Sequence, residues 1–186
     1  MTKGFFLTGP PGSGKTTLIM KAARFLRDAG CRIAGLTAPE IRAEGRRLGF
    51  DLCDIECRRR WPLARIGCLG VTRVGRYGVC REAEEAAVYL VEALSISDII
   101  VIDEIGPMEL ALPGLKRAII EVLQGERPII GVVHRKLRYR HPDIYSLVQR
   151  LGPIIWVSRE AREEAEAKIV ENARVLAYEI CGNKGG

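Results

Sequence analysis

The sequence predicts an α/β fold of three layers, in which a mostly parallel central sheet lies between helices and is extended by an antiparallel β-hairpin. Three observations predict it. Short apolar runs alternate with segments whose apolar residues recur at helical spacing. A glycine-rich loop, Gly9-Pro10-Pro11-Gly12-Ser13-Gly14-Lys15-Thr16, joins the first run to the first helical pattern. The stretch from Pro39 to Arg81 breaks that rhythm: it is rich in Arg and Gly, and alternates over Phe50-Asp51-Leu52 and then, with parity shifted by one, over Cys53 to Cys57. Such a shift is what bulged antiparallel strands produce.

Taken in order, Gly4 to Thr8 is an apolar strand, and from Thr16 a helix carries Leu18, Ala22, Phe25, Leu26 and Ala29 until Gly30 stops it. Cys31 to Thr37 is a second strand, after which 39–81 forms the hairpin at the sheet edge. Ala83, Ala86, Ala87, Leu90 and Leu94 mark a helix, and Leu112 to Leu123 supplies another. The runs Ile99 to Ile102, Ile129 to Val133 and Ile154 to Val157 are short enough to be buried parallel strands. Ser158 is placed to cap a last helix carrying Ala161, Ala165, Ile169, Ala173 and Leu176. With no internal repeat, low-complexity tract or Pro/Ser linker, residues 1–186 read as one domain, with 39–81 as a β-rich insertion.

Composition narrows the functional classes. Of 186 residues, 47% are hydrophobic and 28% charged, which excludes a disordered or fibrous chain. The longest aliphatic run, Ile99 to Ile102, is far below the roughly 18 apolar residues of a membrane span. The apolar start at Phe5 breaks at Gly9-Pro10-Pro11-Gly12 before a signal-peptide core forms, so a cytoplasmic location is expected. The net charge is +6, and 22 of the 29 basic residues are Arg, which suits phosphate-rich ligands. Two Asn and two Gln in the whole chain point to a thermophilic source. The six cysteines are expected as reduced thiols, with disulfides in hyperthermophile proteins the known exception. Cys53 and Cys57 are spaced C-x-x-x-C, but no His lies near them in sequence and no second close Cys pair follows, so a zinc site is disfavoured.

The loop from Gly9 to Thr16 satisfies G-x-x-x-x-G-K-[ST] between a predicted strand and a predicted helix, the context a phosphate-binding P-loop requires. Glycines let the backbone curl its N–H groups towards phosphate oxygens, and the helix start adds the positive end of its dipole. Lys15 would reach the β- and γ-phosphates, and the Thr16 hydroxyl is the expected Mg²⁺ ligand. Ile99 to Glu104 is an apolar strand ending in two carboxylates, the pattern of a Walker B motif. Asp103 is expected to hold Mg²⁺ through water, and Glu104, projecting past the strand end, to orient or deprotonate the attacking water.

An acid directly after the Walker B Asp resembles the additional-strand, catalytic-glutamate class of P-loop proteins. That resemblance implies a RecA-like strand order with Ile129 to Val133 inserted between the P-loop and Walker B strands, and His134 as a γ-phosphate sensor. Arg135, Lys136 and Arg138 are candidates for stabilising charge. Within that class the chain resembles the THEP-type nucleoside-triphosphatases, also called cancer-related NTPases. The resemblance is carried by GPPGSGKTT (Gly9 to Thr17), GRRLGF (Gly45 to Phe50), RVGRYGV (Arg73 to Val79), VIDEIGPMEL (Val101 to Leu110) and VHRK (Val133 to Lys136). It implies slow, Mg²⁺-dependent hydrolysis of ATP, GTP, CTP and UTP. It also implies that Gly9 to Thr16 and the stretch Ile100, Val101, Ile102, Asp103, Glu104, Ile105, Gly106 and Pro107 bind the nucleotide.

Two other classes stay open. In a nucleotide or polynucleotide kinase, Arg42, Arg46, Arg47, Arg58, Arg59 and Arg60 would clamp an acceptor's phosphates. In an ATP-dependent nucleic-acid-binding module, the +6 charge and the run Arg58 to Trp61 would hold a single strand. A GTP-specific switch is disfavoured, because the only Asn-Lys, Asn183-Lys184, is followed by glycines and not by the guanine-reading Asp.

Overall fold

The computed structural model describes residues 3–182. In chain order the strands are β1 (Gly4–Thr8), β2 (Ile33–Thr37), β3 (Glu40–Ala43), β4 (Arg46–Asp54), β5 (Arg60–Ile66), β6 (Arg73–Val74), β7 (Tyr77–Val79), β8 (Ile99–Ile105), β9 (Ile129–Val133) and β10 (Ile154–Trp156). The helices are α1 (Lys15–Asp28), α2 (Ala86–Ile96), α3 (Pro113–Gln124), α4 (Leu137–Arg140), α5 (Pro142–Leu151) and α6 (Arg162–Leu176). All the strands join one sheet of order β10-β1-β9-β8-β2-β4-β5-β7-β6, with β3 also paired to β4. From β10 to β2 the pairing is parallel, and beyond β2 it is antiparallel. β9 therefore separates β1 from β8, which is the RecA-like order.

The apolar runs of the parallel strands serve both faces of the sheet. In β8, Ile100 and Ile102 pack with α2, α3 and α5, while Ile99 and Val101 pack with α1 and α6. The same division holds for Phe6 against Phe5 and Leu7 in β1. A strand buried on both faces cannot alternate polar and apolar residues, so these segments read as continuous runs. Burial of each such side chain stabilises the fold by about 1.5–3 kcal/mol. In α1 the buried stripe is Leu18, Ile19, Ala22, Ala23 and Leu26. Phe25, expected in that row, lies at the stripe's edge and is 42% exposed.

Residues 39–81 carry more strands than the single hairpin expected: β3 to β7 form an antiparallel extension of the sheet. Bulges are present but not at the parity shift between Leu52 and Cys53: the β4–β5 register slips between Phe50 and Asp51 and the β3–β4 register between Ile41 and Arg42, and β4 ends at Asp54 before the alternation to Cys57 is complete. Asp51 is buried there and pairs with Arg65 and Arg60. Two helices go beyond those expected from the sequence: the single turn α4, and α5, whose buried Ile144, Val148 and Leu151 recur at helical spacing behind Pro142 at the helix start. Ser158 does not cap α6 directly. Its Oγ accepts the Ala161 N–H at 3.2 Å, closing the turn before the helix opens at Arg162.

The cysteines depart from the expectation of free thiols. Cys31, just past α1, and Cys181, in the π turn after α6, are joined in a disulfide with Cα atoms 5.5 Å apart. Cys68 and Cys80 are free with Sγ atoms 3.9 Å apart, and Cys53 and Cys57 are also free. Among the described residues no helix is long and apolar enough to cross a membrane.

Candidate active site

The loop between β1 and α1 takes its shape from two glycines. A Cβ on Gly9 would sit 2.0 Å from the Val157 carbonyl oxygen, so only glycine lets β1 and the end of β10 approach so closely. Gly14 has φ of 88°, a left-handed conformation that turns the chain into α1 at Lys15. The first amides of α1 have no intrahelical acceptor, which leaves donors and the helix dipole at the loop. The Lys15 ammonium folds back over the loop and donates to the carbonyls of Gly9 at 3.1 Å and Pro10 at 2.8 Å. Burial lowers its pKa, while Glu104 and Asp103 act to raise it. The Ser13 hydroxyl is buried with no partner among the described residues.

Across the sheet, β8 delivers the acids. Asp103 is buried, accepts a hydrogen bond from Thr37 Oγ1 at 3.5 Å and is also hydrogen-bonded to Thr16. Burial raises its pKa against the effect of those two hydroxyls and of Lys15. The strand does not end in the two carboxylates as the sequence suggests, and Glu104 lies within it and not past its end. β8 runs to Ile105, and the β8–β9 register slips between Asp103 and Ile105, leaving Glu104 as an extra residue without a partner in β9. Bulges of this kind re-aim a side chain next to functional sites. Burial, then the adjacent Asp103 charge, pushes the Glu104 carboxyl up to about 7. Behind it, burial and then Glu104 push Glu109 up to about 8.

These groups share a cavity of ≈ 480 Å³ whose lining includes Gly9, Pro11, Gly12, Gly14, Lys15, Thr16, Asp103 and Glu104. His134, just past β9, lines it too, and its Nδ1 accepts the Lys136 N–H at 3.2 Å. Burial, then the charges of Arg135, Lys136, Arg140 and Lys15, lowers the His134 pKa and so favours the neutral ring, which, with Nδ1 accepting, carries its proton on Nε2. A loop of backbone donors with its lysine, two buried carboxylates and an imidazole thus meet at the carboxyl ends of β1, β8 and β9, where open α/β sheets bind ligands.

The sequence model of a family described as NTPase matches residues 4–170. The chain belongs to that family. It is a nucleoside-triphosphatase, a hydrolase. The chain is 43% identical over 166 residues to the nucleoside-triphosphatase THEP1 of Ignicoccus hospitalis, covering 89% of this chain and 93% of the relative. Identity to the THEP1 of Methanopyrus kandleri is 37% over 175 residues, 92% of this chain and 96% of that one. The solution structure of a human cancer-related nucleoside triphosphatase superposes with a TM-score of 0.73 at 32% identity, over 90% of this chain and 95% of that chain. The crystal structure of THEP1 from Aquifex aeolicus gives the same TM-score at 24% identity and speaks to the fold.

In this NTPase several residues expected at the site stand elsewhere. Pro10 and Ser13 belong to the loop but not to the cavity wall, and Ile100, Val101, Ile102 and Ile105 are core residues behind it. Within the stretch from Ile100 to Pro107, only Asp103, Glu104 and Pro107 line the cavity: the apolar side chains of β8 pack into the two helical layers, and Gly106, just past the strand, lines a neighbouring cavity instead. Of the six arginines expected to clamp an acceptor, only Arg47 reaches the nucleotide cavity; Arg46 does not line it, and Arg42, Arg58, Arg59 and Arg60 pair with Glu40, Glu56, Glu92 and Asp51. Trp61 is not an open stacking platform, since its ring packs 5.9 Å from that of Tyr89. Arg135 lines the cavity, whereas Arg138 lies over the Tyr139 ring at 4.3 Å.

Phe50, Leu63, Val74 and Glu109 also line the cavity, and none of them is an expected site residue. Arg47, ion-paired to Glu40 and lying 5.4 Å over the Phe50 ring, forms a wall with Phe50, Leu63 and Val74. Arg162 of α6 donates to the Ser13 carbonyl at 3.4 Å and braces the loop from outside. GRRLGF was legible as a motif, but which of its arginines faces the cavity depends on the strand pairing.

Proposed function

We propose that this site hydrolyses the terminal phosphoanhydride of Mg²⁺-bound nucleoside triphosphates to diphosphate and phosphate, slowly and with little preference among bases. The observation that carries the reading is the convergence of Lys15, Thr16, Asp103, Glu104 and His134 on one cavity. Lys15 leaves its loop carbonyls to contact the β- and γ-phosphates. Glu104, with its carboxyl poised near neutral pH, takes the proton as water oxygen attacks the γ-phosphorus and the bond to the diphosphate oxygen breaks. His134 offers its Nε2 proton to a γ-phosphate oxygen.

The residues present fit Mg²⁺. Among the described residues no three His, Cys, Asp or Glu side chains group as a metal cage. Thr16 and Asp103 instead bring two hard oxygens together, the sparse protein set that suits an ion keeping its waters and sharing phosphate oxygens. When bound, the ion supplies neutralisation of phosphate charge. Turnover is expected to be slow because, of the two arginines that line the cavity among the described residues, Arg47 is ion-paired to Glu40, which leaves Arg135 to offset charge on the transferring phosphoryl group.

The test is phosphate release measured with and without Mg²⁺, in wild type and Thr16→Ala. Release should require the metal, and the variant should need more of it. Metal-independent release, or an unchanged requirement in the variant, would contradict the assignment.

A further inference from the structure

A second cavity of ≈ 250 Å³ adjoins the nucleotide cavity, and His134, Val74 and Pro107 line both. Its polar wall is cationic: Arg73 comes from β6, Lys136 and Arg140 from the segment after β9, and the His134 and His141 rings stand beside them. No Asp or Glu lines it. The chain thus brings together two regions some sixty residues apart in sequence to make a wall of one sign.

These cations are not spent on neighbours. Arg73, Lys136 and Arg140 form no ion pair with any described residue, while Arg58, Arg59, Arg60 and Arg65 all do. The positive field is felt by both rings. After burial, Arg135, Lys136, Arg140 and Lys15 lower the His134 pKa, and Lys116 and Arg140 lower that of His141 with Asp143 opposing. Like charges gathered in a concave wall repel one another until an anion enters, so the arrangement favours an anion.

We propose that this cavity binds a phosphate group next to the γ-phosphate position of the nucleotide site. Its volume lies under the roughly 300–1,000 Å³ of pockets for drug-sized ligands, so it admits orthophosphate or a small phosphate monoester and not a second nucleotide. Arg73 and Arg140 supply forked donors suited to phosphate oxygens, and Lys136 a mobile point charge. Two sources share this chemistry: the orthophosphate released by hydrolysis, and a phosphorylated small molecule held beside the nucleotide. The proposal rests on the reading of the first cavity as the nucleotide site.

The experiment is calorimetric titration of the full chain, first with Mg·ADP to saturation, then with orthophosphate or, in a parallel arm, ribose 5-phosphate. Saturating ADP reports the first cavity by itself, so failure of ADP to bind would refute the nucleotide-site reading, and with it this proposal's premise, separately from any result with phosphate. With ADP bound, wild type should take up one equivalent of the anion. Arg73→Ser/Arg140→Ser should weaken that uptake by about tenfold or more while ADP affinity stays unchanged, which also shows the variant is folded. Tighter binding of orthophosphate assigns the cavity to the product, and tighter binding of the monoester assigns it to a co-ligand. No uptake by the ADP complex, or uptake equal in the double variant, would overturn the proposal.

Discussion

Lys15 folds back over the loop, and its ammonium donates to the carbonyls of Gly9 and Pro10. Those bonds are replaced by charge-assisted ones when a triphosphate binds. Lys15→Ala should therefore lose most nucleotide affinity and all measurable hydrolysis, and wild-type turnover in that variant would remove the P-loop from the mechanism. Glu109 carries a different prediction. Unfolded, a glutamate releases its proton near 4.5; buried here it holds it to about 8. The folded state then binds the extra proton between those values, so its stability is full below the lower value and is lost as pH rises through the upper one. In metal-free and nucleotide-free protein, Glu109→Gln should gain melting temperature over wild type at pH 9 but much less at pH 5, with each kcal/mol worth about 2–4 °C. Equal differences at the two pH values would contradict it. Lys15, Thr16, Asp103 and Glu104 were legible because their chemistry demands fixed spacing. Glu109 was not, since a single acid between Met108 and Leu110 gives no sign in sequence that it is buried.

At the scale of elements, the parallel strands were legible wherever both faces are buried, because β1, β8 and β9 leave unbroken apolar runs. The insertion was legible only as bulged antiparallel structure. Its strand count and the choice of Arg47 as the inward arginine come from pairings such as Glu40 with Phe50 and Gly49 with Arg65, which local pattern does not encode. α5 was overlooked although Pro142 and the Ile144, Val148, Leu151 spacing announce it. The disulfide links the end of α1 to the turn after α6 across 150 residues of sequence. Closing so long a loop restricts the unfolded chain, an effect of about 2–5 kcal/mol. Cys181→Ser, or reduction of wild type, should lower the melting temperature accordingly; identical melting with and without reductant would show that the bridge contributes nothing.

For the whole molecule, the groups proposed to act at the main cavity, Lys15, Thr16, Asp103, Glu104 and His134, address phosphate, metal or water, and the proposal gives the Arg47, Phe50, Leu63 and Val74 wall no part in reading a base. In competition, ATP, GTP, CTP and UTP should be hydrolysed with kcat/KM values within about tenfold, a spread of roughly 1.4 kcal/mol. A preference of several hundredfold would instead place a base pocket near the Arg47 and Phe50 wall or past His134. Arg73, Lys136 and Arg140, in no ion pair among the described residues, meet at the second cavity, whereas Arg58, Arg59 and Arg60 are paired and Trp61 is packed, which speaks against a strand-binding groove along Arg58 to Trp61. The central claim is that Glu104, set apart in the β8 bulge, performs the chemistry while Lys15, Thr16 and Asp103 hold the metal-bound nucleotide. It is tested most directly by Mg·ATP binding and single-turnover hydrolysis in Glu104→Gln. The account predicts near-normal affinity with hydrolysis slowed on the order of 10²–10⁴-fold; wild-type turnover, or the loss of binding together with turnover, would contradict it.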